Sequence, residues 1–460
     1  MYYMRCDRVI RDWWEKRYPD KPLPPDAVLP VLKNLQGHPE GPRLWAVRCH
    51  GVLVALDFKN TTHAPCLYHG NFNGEFVLFL RMVDDFFIAC ELEDTYTKLC
   101  DKLDENWQVP MSRYGLMTHF NGIDVSQSRT HITISSKTYL DTVFKAYDWA
   151  DITPTSLPMN PSNEFVRALD SVEPLDPTQR SRLDSTRFRY RAAIGELIWP
   201  MITTRPELSY PVVKLSQFAS SPATIHYDAV YGIFQYLSGT RNDGLTYTRP
   251  KPLLWGPVVK PEPLRSQPTD RIDEHVPTED LKTIYGYSDA DWAMDIRHRR
   301  SISGMVYFLA GAVIAWKTRV QPTVALSTAE SEFLAASDTG RLGLFIRAVL
   351  AELLQAQHAA TTVYEDNDAC RMVADSTAPT RQMRHIAIRD FALQDWTERN
   401  LIALTSCPSY ANASDMFTKK VGEILFARHC DHISGRTTFF RINPDLLHVP
   451  RPSSGARGGC

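Results

Sequence analysis

Asp289, Glu332, Asp366 and Asp415 each stand where an apolar strand pattern runs out or a helix pattern begins. One acidic residue on a surface means little. Four brought to one place by a sheet and its helices would hold divalent cations. Hard oxygen ligands of this kind suit Mg2+, with Mn2+ as a substitute. Hydrolysis of a phosphodiester by two such ions needs them roughly 3.5–4 Å apart, one activating water and the other steadying the leaving oxygen. Asp289 has apolar strand neighbours, so its charge is costly there without a cation partner.

Glu330 and Glu332 compete for the second place in this set, and helix chemistry separates them. Ser327, Thr328, Ala329 and Glu330 form a capping-box pattern in which Glu330 folds back on the helix start. Glu332 lies about 200° further around a helix of 3.6 residues per turn, on a different face. The cap therefore falls to Glu330 and the metal to Glu332. Taken alone, Asp366 beside Asn367 and Asp415 after Ser414 read more readily as helix caps than as ligands, and Asp291 as a turn residue. The set of four, in this order of elements, is what is specific.

The elements that must position them follow from hydrophobic period. The spacing predicts a strand over 283–287, a strand pair around Gly311 (305–309 and 313–316), and a long helix over 327–355 with Leu342, Phe345, Ile346, Val349, Leu350 and Leu353 on its buried face. A strand over 362–364, a helix after Asp366, a helix over 384–398, a strand over 401–405 and a helix after Ser414 complete an α/β layered unit. Upstream, residues 76–83 and 86–90 are apolar runs separated by Asp84 and Asp85, the pattern of a hairpin, and 95–107 reads as a helix. An adjacent aspartate pair is by itself an ordinary turn. The chain is thus expected to comprise a lead-in (1–30), a mixed α+β region (31–150), a helical region (151–248), a Pro-rich linker (249–282), the α/β unit (283–430) and a disordered tail (431–460).

At 460 residues the chain exceeds one compact core, and 43% hydrophobic with 23% charged residues describes globular units. A formal charge of -2 means that any nucleic-acid contact rests on local patches. The best of these is Arg297, His298, Arg299 and Arg300, with Lys419 and Lys420 beside Asp415. Trp292 and Trp316 could stack on sugar or base, or pack in a core. Nine scattered cysteines without CxxC spacing argue against a disulfide framework or structural zinc and for a reducing, intracellular compartment. No apolar run approaches the roughly 20 residues that span a bilayer, so no membrane partner is expected.

The segments GYSDADWAMD, RRSISGMVYFL, VALSTAESEFLA, YEDNDAC and ASDMFTKK resemble the ribonuclease H domain of copia-type long-terminal-repeat retrotransposon Pol polyproteins. The resemblance implies a mixed-sheet fold in which Asp289, Glu332, Asp366 and Asp415 bind metal, with the RNA strand of an RNA:DNA hybrid as substrate. RQMRHIAIRDF resembles a further family segment, but Ala387 stands where an acidic residue usually follows His-Ile, which weakens any role for His385. LRMVDDFFIAC resembles the reverse-transcriptase hairpin that carries two of three catalytic carboxylates, here Asp84 and Asp85, with Met82 in the usual place of Tyr. LKNLQGHPEGPRLW resembles the segment lining the nucleotide site, with Gln36 toward the nucleotide. The family's first catalytic aspartate, upstream of Gln36, has no match in these residues. The resemblance therefore implies a palm and connection remnant without polymerase activity, followed by an active nuclease. Its partners would be the hybrid, a primer-template and other polyprotein products. The alternative is a catalytically dead, nucleic-acid-binding relic. A transposase or integrase would want a different acidic triad and often a His/Cys zinc module, which is not found.

Overall fold

The computed structural model describes residues 2–31, 39–107, 110–149, 151–251, 281–292, 299–375 and 392–438, which fall into two compact units, Met1–Ser112 and Arg113–Cys460. Gln36, Arg297, His298, His385, Ala387, most of the expected linker and the tail from residue 439 lie outside the described residues.

In the first unit β1 (Tyr2–Arg5) pairs antiparallel with β2 (Val28–Val31), and between them runs α1 (Arg8–Arg17). Asp7 caps that helix by accepting from the Ile10 amide. There follow α2 (Gly41–Ala55), β3 (Lys59–Asn60), β4 (Leu67–Phe72), β5 (Glu75–Met82), β6 (Asp85–Ala89) and α3 (Glu93–Trp107). The four strands form an antiparallel sheet in sequence order. Val77 and Phe79, two residues apart on β5, point to one face and pack with Leu53, Leu99, Leu103 and Trp107. The expected hairpin is present, with Met82 paired to Asp85 across a turn at Val83 and Asp84.

The second unit opens with β7 (His119–Phe120), β8 (Ile123–Gln127) and β9 (His131–Ser135), then helices α4 (Lys137–Ala146), α5 (Asn163–Ser171), α6 (Pro177–Thr186), α7 (Tyr190–Thr203), α8 (Ser209–Ser216) and α9 (Thr224–Gly239). Strand β10 (Gly244–Thr248) returns to pair with β9. Beyond residue 281 come β11 (Tyr285–Asp291), β12 (Ile302–Leu309), β13 (Ala312–Val320), α10 (Thr328–Glu352), β14 (Thr361–Glu365), α11 (Asp368–Ala374), α12 (Ala392–Glu398), β15 (Ile402–Ser406), α13 (Asp415–Thr418) and α14 (Glu423–Ile433). The five strands are ordered β13-β12-β11-β14-β15, the first three antiparallel and β14 and β15 parallel to β11.

Both faces of this sheet are covered. Tyr307 packs with Phe333, Ala336 and Ile346 of α10, whereas its neighbours Val306 and Phe308 face the other way, into a core shared with Phe234, Leu237, Leu245, Phe426 and Ile433. A strand buried on both faces reads as a continuous apolar run, as MVYFL does. The α/β class expected from the sequence is what the chain adopts.

Four details differ from expectation. Strand β11 extends to Asp291, because its pairing with β12 continues to Ile302, so Asp289 lies inside the strand. Phe345 is 48% exposed, and the buried side of α10 consists largely of Ala, Ser and Gly in its first four turns, which lets the helix lie close to the sheet. The helix after Ser414 is a single turn, with a second helix, α14, starting at Glu423. Residues 431–438, placed in the tail by the sequence reading, pack in part, with Ile433 buried and the Ser434 carbonyl accepting from the Thr246 amide at 2.7 Å.

Candidate metal centre

Asp289 sits opposite Gly304 on β12. A Cβ at Gly304 would stand 2.7 Å from Thr418 Cγ2 and 2.9 Å from Phe417 Cβ, so the absence of a side chain lets α13 settle on the sheet. The Thr318 hydroxyl, on β13, holds it there by donating to the Phe417 carbonyl at 2.7 Å. Docked this way, α13 sets Asp415, Thr418 and Lys419 beside Asp289. The Thr418 hydroxyl donates to the Asp289 carboxylate. Lys419 Nζ lies 2.8 Å from Asp415 Oδ1 and 3.4 Å from Asp289 Oδ1.

Glu332 comes from the second turn of α10, and the helix start has the anticipated chemistry. Ser327 Oγ accepts from the Glu330 amide at 3.2 Å, and Glu330 Oε2 accepts from the Leu326 amide at 2.7 Å. Glu330 is committed to the cap, while Glu332 is buried in the pocket.

Asp366 follows the last residue of β14. The capping role that Asp366 could have taken falls to Asn367, whose Oδ1 accepts from the Cys370 amide at 3.0 Å. Asn412 Nδ2 donates to Asp366 Oδ1 at 3.3 Å and to the Ser288 carbonyl at 2.9 Å, tying Asp366 to the strand that carries Asp289.

One residue of the pocket was not singled out from the sequence. Glu365 is fully buried, on the same face of β14 as Thr361 and Val363, and its Oε1 accepts from the Asn367 amide at 3.1 Å. The signal was strand parity: a Glu two residues beyond an inward Val also points inward.

Oxygens of Asp289, Asp366 and Asp415 all lie within 4.8 Å of one another, and so do oxygens of Glu332, Glu365 and Asp366. Asp366 belongs to both groups. Burial, and then the neighbouring carboxylates, push Glu332 up to about 11 and Asp415 to about 8. Burial likewise raises Asp289 and lifts Glu365 well above the carboxylate range. Asp291, on the same strand face as Asp289, rises to about 7 through burial and the Asp289 charge. Burial works against the Lys419 ammonium, yet Asp289 and Asp415 outweigh it and keep it charged. Carboxylates that raise one another's pKa even beside Lys419 are short of positive charge, and a divalent cation could supply it.

The remaining candidates are distributed differently. Lys419, expected to face phosphate, turns into the carboxylate pocket, because two buried anions attract it more strongly than solvent does. Lys420 donates to the Pro161 carbonyl at 2.7 Å. Arg299 and Arg300 are exposed, Arg299 with φ 54°. Trp316 donates to the Met201 carbonyl at 2.9 Å and packs against the core, while Trp292 donates to the Ala325 carbonyl at 3.0 Å and stays 44% exposed.

In the first unit, Asp84 and Asp85 are exposed at the hairpin turn. Val83 before them has φ 58°, an unfavourable conformation for a β-branched residue, and its carbonyl accepts from Trp45 Nε1 at 2.7 Å. Among the described residues, neither aspartate joins a group of three potential metal ligands.

Comparison with known proteins gives a consistent affiliation. The family described as reverse transcriptase (RNA-dependent DNA polymerase) matches residues 24–161. The chain is 25% identical over 86% of its length to the retrovirus-related Pol polyprotein from transposon TNT 1-94 of Nicotiana tabacum, covering 27% of that protein. It is 24% identical over 89% of its length to the retrovirus-related Pol polyprotein from transposon RE1 of Arabidopsis thaliana, covering 25%. A 149-residue stretch is 35% identical to secreted RxLR effector protein 161 of Plasmopara viticola and covers 84% of it. The chain thus spans about a quarter of the length of the two Pol polyproteins.

Proposed function

This chain belongs to the copia-type retrotransposon Pol polyproteins, and on that premise we propose that its five-stranded sheet carries a ribonuclease H-type endonuclease acting on the RNA strand of RNA:DNA hybrids. The observation that carries the reading is the meeting of Asp289, Glu332, Asp366 and Asp415, from four separate elements, in one buried pocket. The donor set fits Mg2+: every candidate ligand is a hard carboxylate oxygen, and Glu332 Oε2 is buried without a hydrogen-bond partner. Two Mg2+ ions, or Mn2+ in their place, would supply an activated water and a steadied leaving oxygen for in-line displacement, with no covalent intermediate.

The chain's own residues set the conditions for that chemistry. Asp366, common to both carboxylate groups, is oriented by Asn412. Asp289 is held rigidly inside β11 by its ladder and by Thr418. Lys419 balances part of the negative charge, opposing the burial that raises Asp289 and Asp415. Arg299 and Arg300, exposed in the connection before β12, are available to phosphates, as an A-like hybrid groove read through its backbone requires. For polymerisation, the described residues offer Asp84 and Asp85 with no third carboxylate beside them, so this chain by itself is proposed not to extend a primer.

The test uses purified protein, a labelled RNA:DNA hybrid and Mg2+, with Asp366→Asn and Glu332→Gln run in parallel. Hydrolysis of the RNA strand by wild type, lowered at least about a hundredfold in both variants, is the expected result. Equal residual cleavage by all three would leave a nucleic-acid-binding relic. Extension of a primer-template with nucleotides would overturn the polymerase statement.

A further inference from the structure

Glu365 stands outside the four-carboxylate set on which the proposed function rests, yet it is the most deeply buried carboxylate of the pocket. We propose that Glu365 is a ligand to the second of two cations, so that the centre consists of two carboxylate triplets hinged on Asp366: Asp289, Asp366 and Asp415 for one ion, Glu332, Glu365 and Asp366 for the other. This inference rests on the metal-centre reading above and adds a ligand to it.

Three observations carry it. Glu332 and Glu365 are 5% and 0% exposed, and the Oε2 atom of each is buried without a hydrogen-bond partner. The Ser288 hydroxyl is the neutral side chain near enough to Glu365 to favour its charged form, and it brings no positive charge. Among the described residues no Lys, Arg or His forms an ion pair with Glu332 or Glu365, whereas the Asp289 and Asp415 side of the pocket has Lys419. Ionised, these two buried carboxylates would have no counter-charge paired with them among the described residues, a cost that a cation joining them offsets.

The spacing is also right. One oxygen from each member of the second triplet lies within 4.8 Å of the others. A cation with bonds of about 2.1 Å sets its ligand oxygens roughly 3–4 Å apart, so a small inward movement of the Glu332 and Glu365 side chains completes the set. Both are long side chains on rigid elements, the start of α10 and the end of β14, and can move inward without a backbone shift.

The experiment counts Mn2+ ions bound to the full-length chain by titration calorimetry and by the electron paramagnetic resonance signal of free Mn2+. Wild type should bind two. Glu365→Gln should keep one at wild-type affinity and weaken the other at least tenfold, while Asp415→Asn should weaken the opposite ion. Two ions bound to Glu365→Gln at wild-type affinity would overturn the role of Glu365 and leave the metal centre standing. No Mn2+ bound to wild type would overturn both. Should Glu365→Gln fail to fold by circular dichroism, Glu365→Asp keeps the charge and shortens its reach: one weakened ion supports the assignment, and two ions at wild-type affinity overturn it.

Discussion

Lys419 places a fixed positive charge in a pocket whose other occupants are carboxylates. Its side chain is 35% exposed, so solvent screens part of the attraction to Asp289 and Asp415. Replacing it with Met should lower metal-free stability by about 1–2 kcal/mol and enlarge the rise in melting temperature on adding Mg2+, because an ion then supplies all the compensation. Melts with and without Mg2+ measure both. The raised carboxylates predict the pH dependence. Asp415 holds its proton in the folded state up to about 8 but only to 3.8 when unfolded. Its contribution is therefore complete below the unfolded value and is lost as pH rises through the folded one. Metal-free wild type should lose stability between about pH 4 and pH 8 more steeply than Asp415→Asn, by on the order of a few kcal/mol in urea titrations, and Mg2+ should flatten the difference. An equal slope in the two proteins would remove Asp415 from the pocket's proton balance. At this scale the sequence was legible where local chemistry decides: a capping pattern separated Glu330 from Glu332. Glu365 was missed: strand parity puts it on the face of Val363, but which face of β14 turns inward is settled by its pairing with β11 and β15.

Among the elements, the one-turn helix α13 bears most on the site, and Gly304 is what allows it to dock. Gly304→Ala forces a methyl against Thr418, Phe417 and the Ser414 carbonyl, all within 3.0 Å. The expected outcome is a loss of about 1–3 kcal/mol with weakened Mn2+ binding at the Asp289 and Asp415 side, as α13 lifts from the strand. Calorimetric titration beside thermal melts checks it. A variant that loses stability but keeps both ions would show that α13 does not set the ligand positions. The order of strands and helices was readable from hydrophobic period, since a strand or helix buried on one face repeats every two or about 3.6 residues. Strand ends were not, because β11 stops where its partner β12 begins rather than where its own apolar residues run out. The exposed Phe345 had the same origin: the period of α10 marks an apolar stripe, but not how far along the helix the sheet reaches.

Across the second unit, helices α7–α9 and the five-stranded sheet share a hydrophobic core. Lys214 and Asp170, 2% and 1% exposed, pair at 2.7 Å within the helical part. Lys214→Met takes the ammonium away from the buried Asp170 carboxylate, at a cost of about 3–5 kcal/mol. Because the core is common, that loss should appear as one transition of this unit in both far-UV circular dichroism and tryptophan fluorescence, rather than as separate melting of helices and sheet. Two resolved transitions within this unit would contradict the shared core. The Trp316 indole reaches the Met201 carbonyl, and the Tyr247 hydroxyl reaches the Val313 carbonyl at 2.8 Å. A fragment trimmed to begin at β11 would therefore carry an oily flank of Val306, Phe308 and Val313 into water. Anyone excising the five-stranded sheet for biochemistry should expect inclusion bodies, and should cut ahead of residue 113 instead.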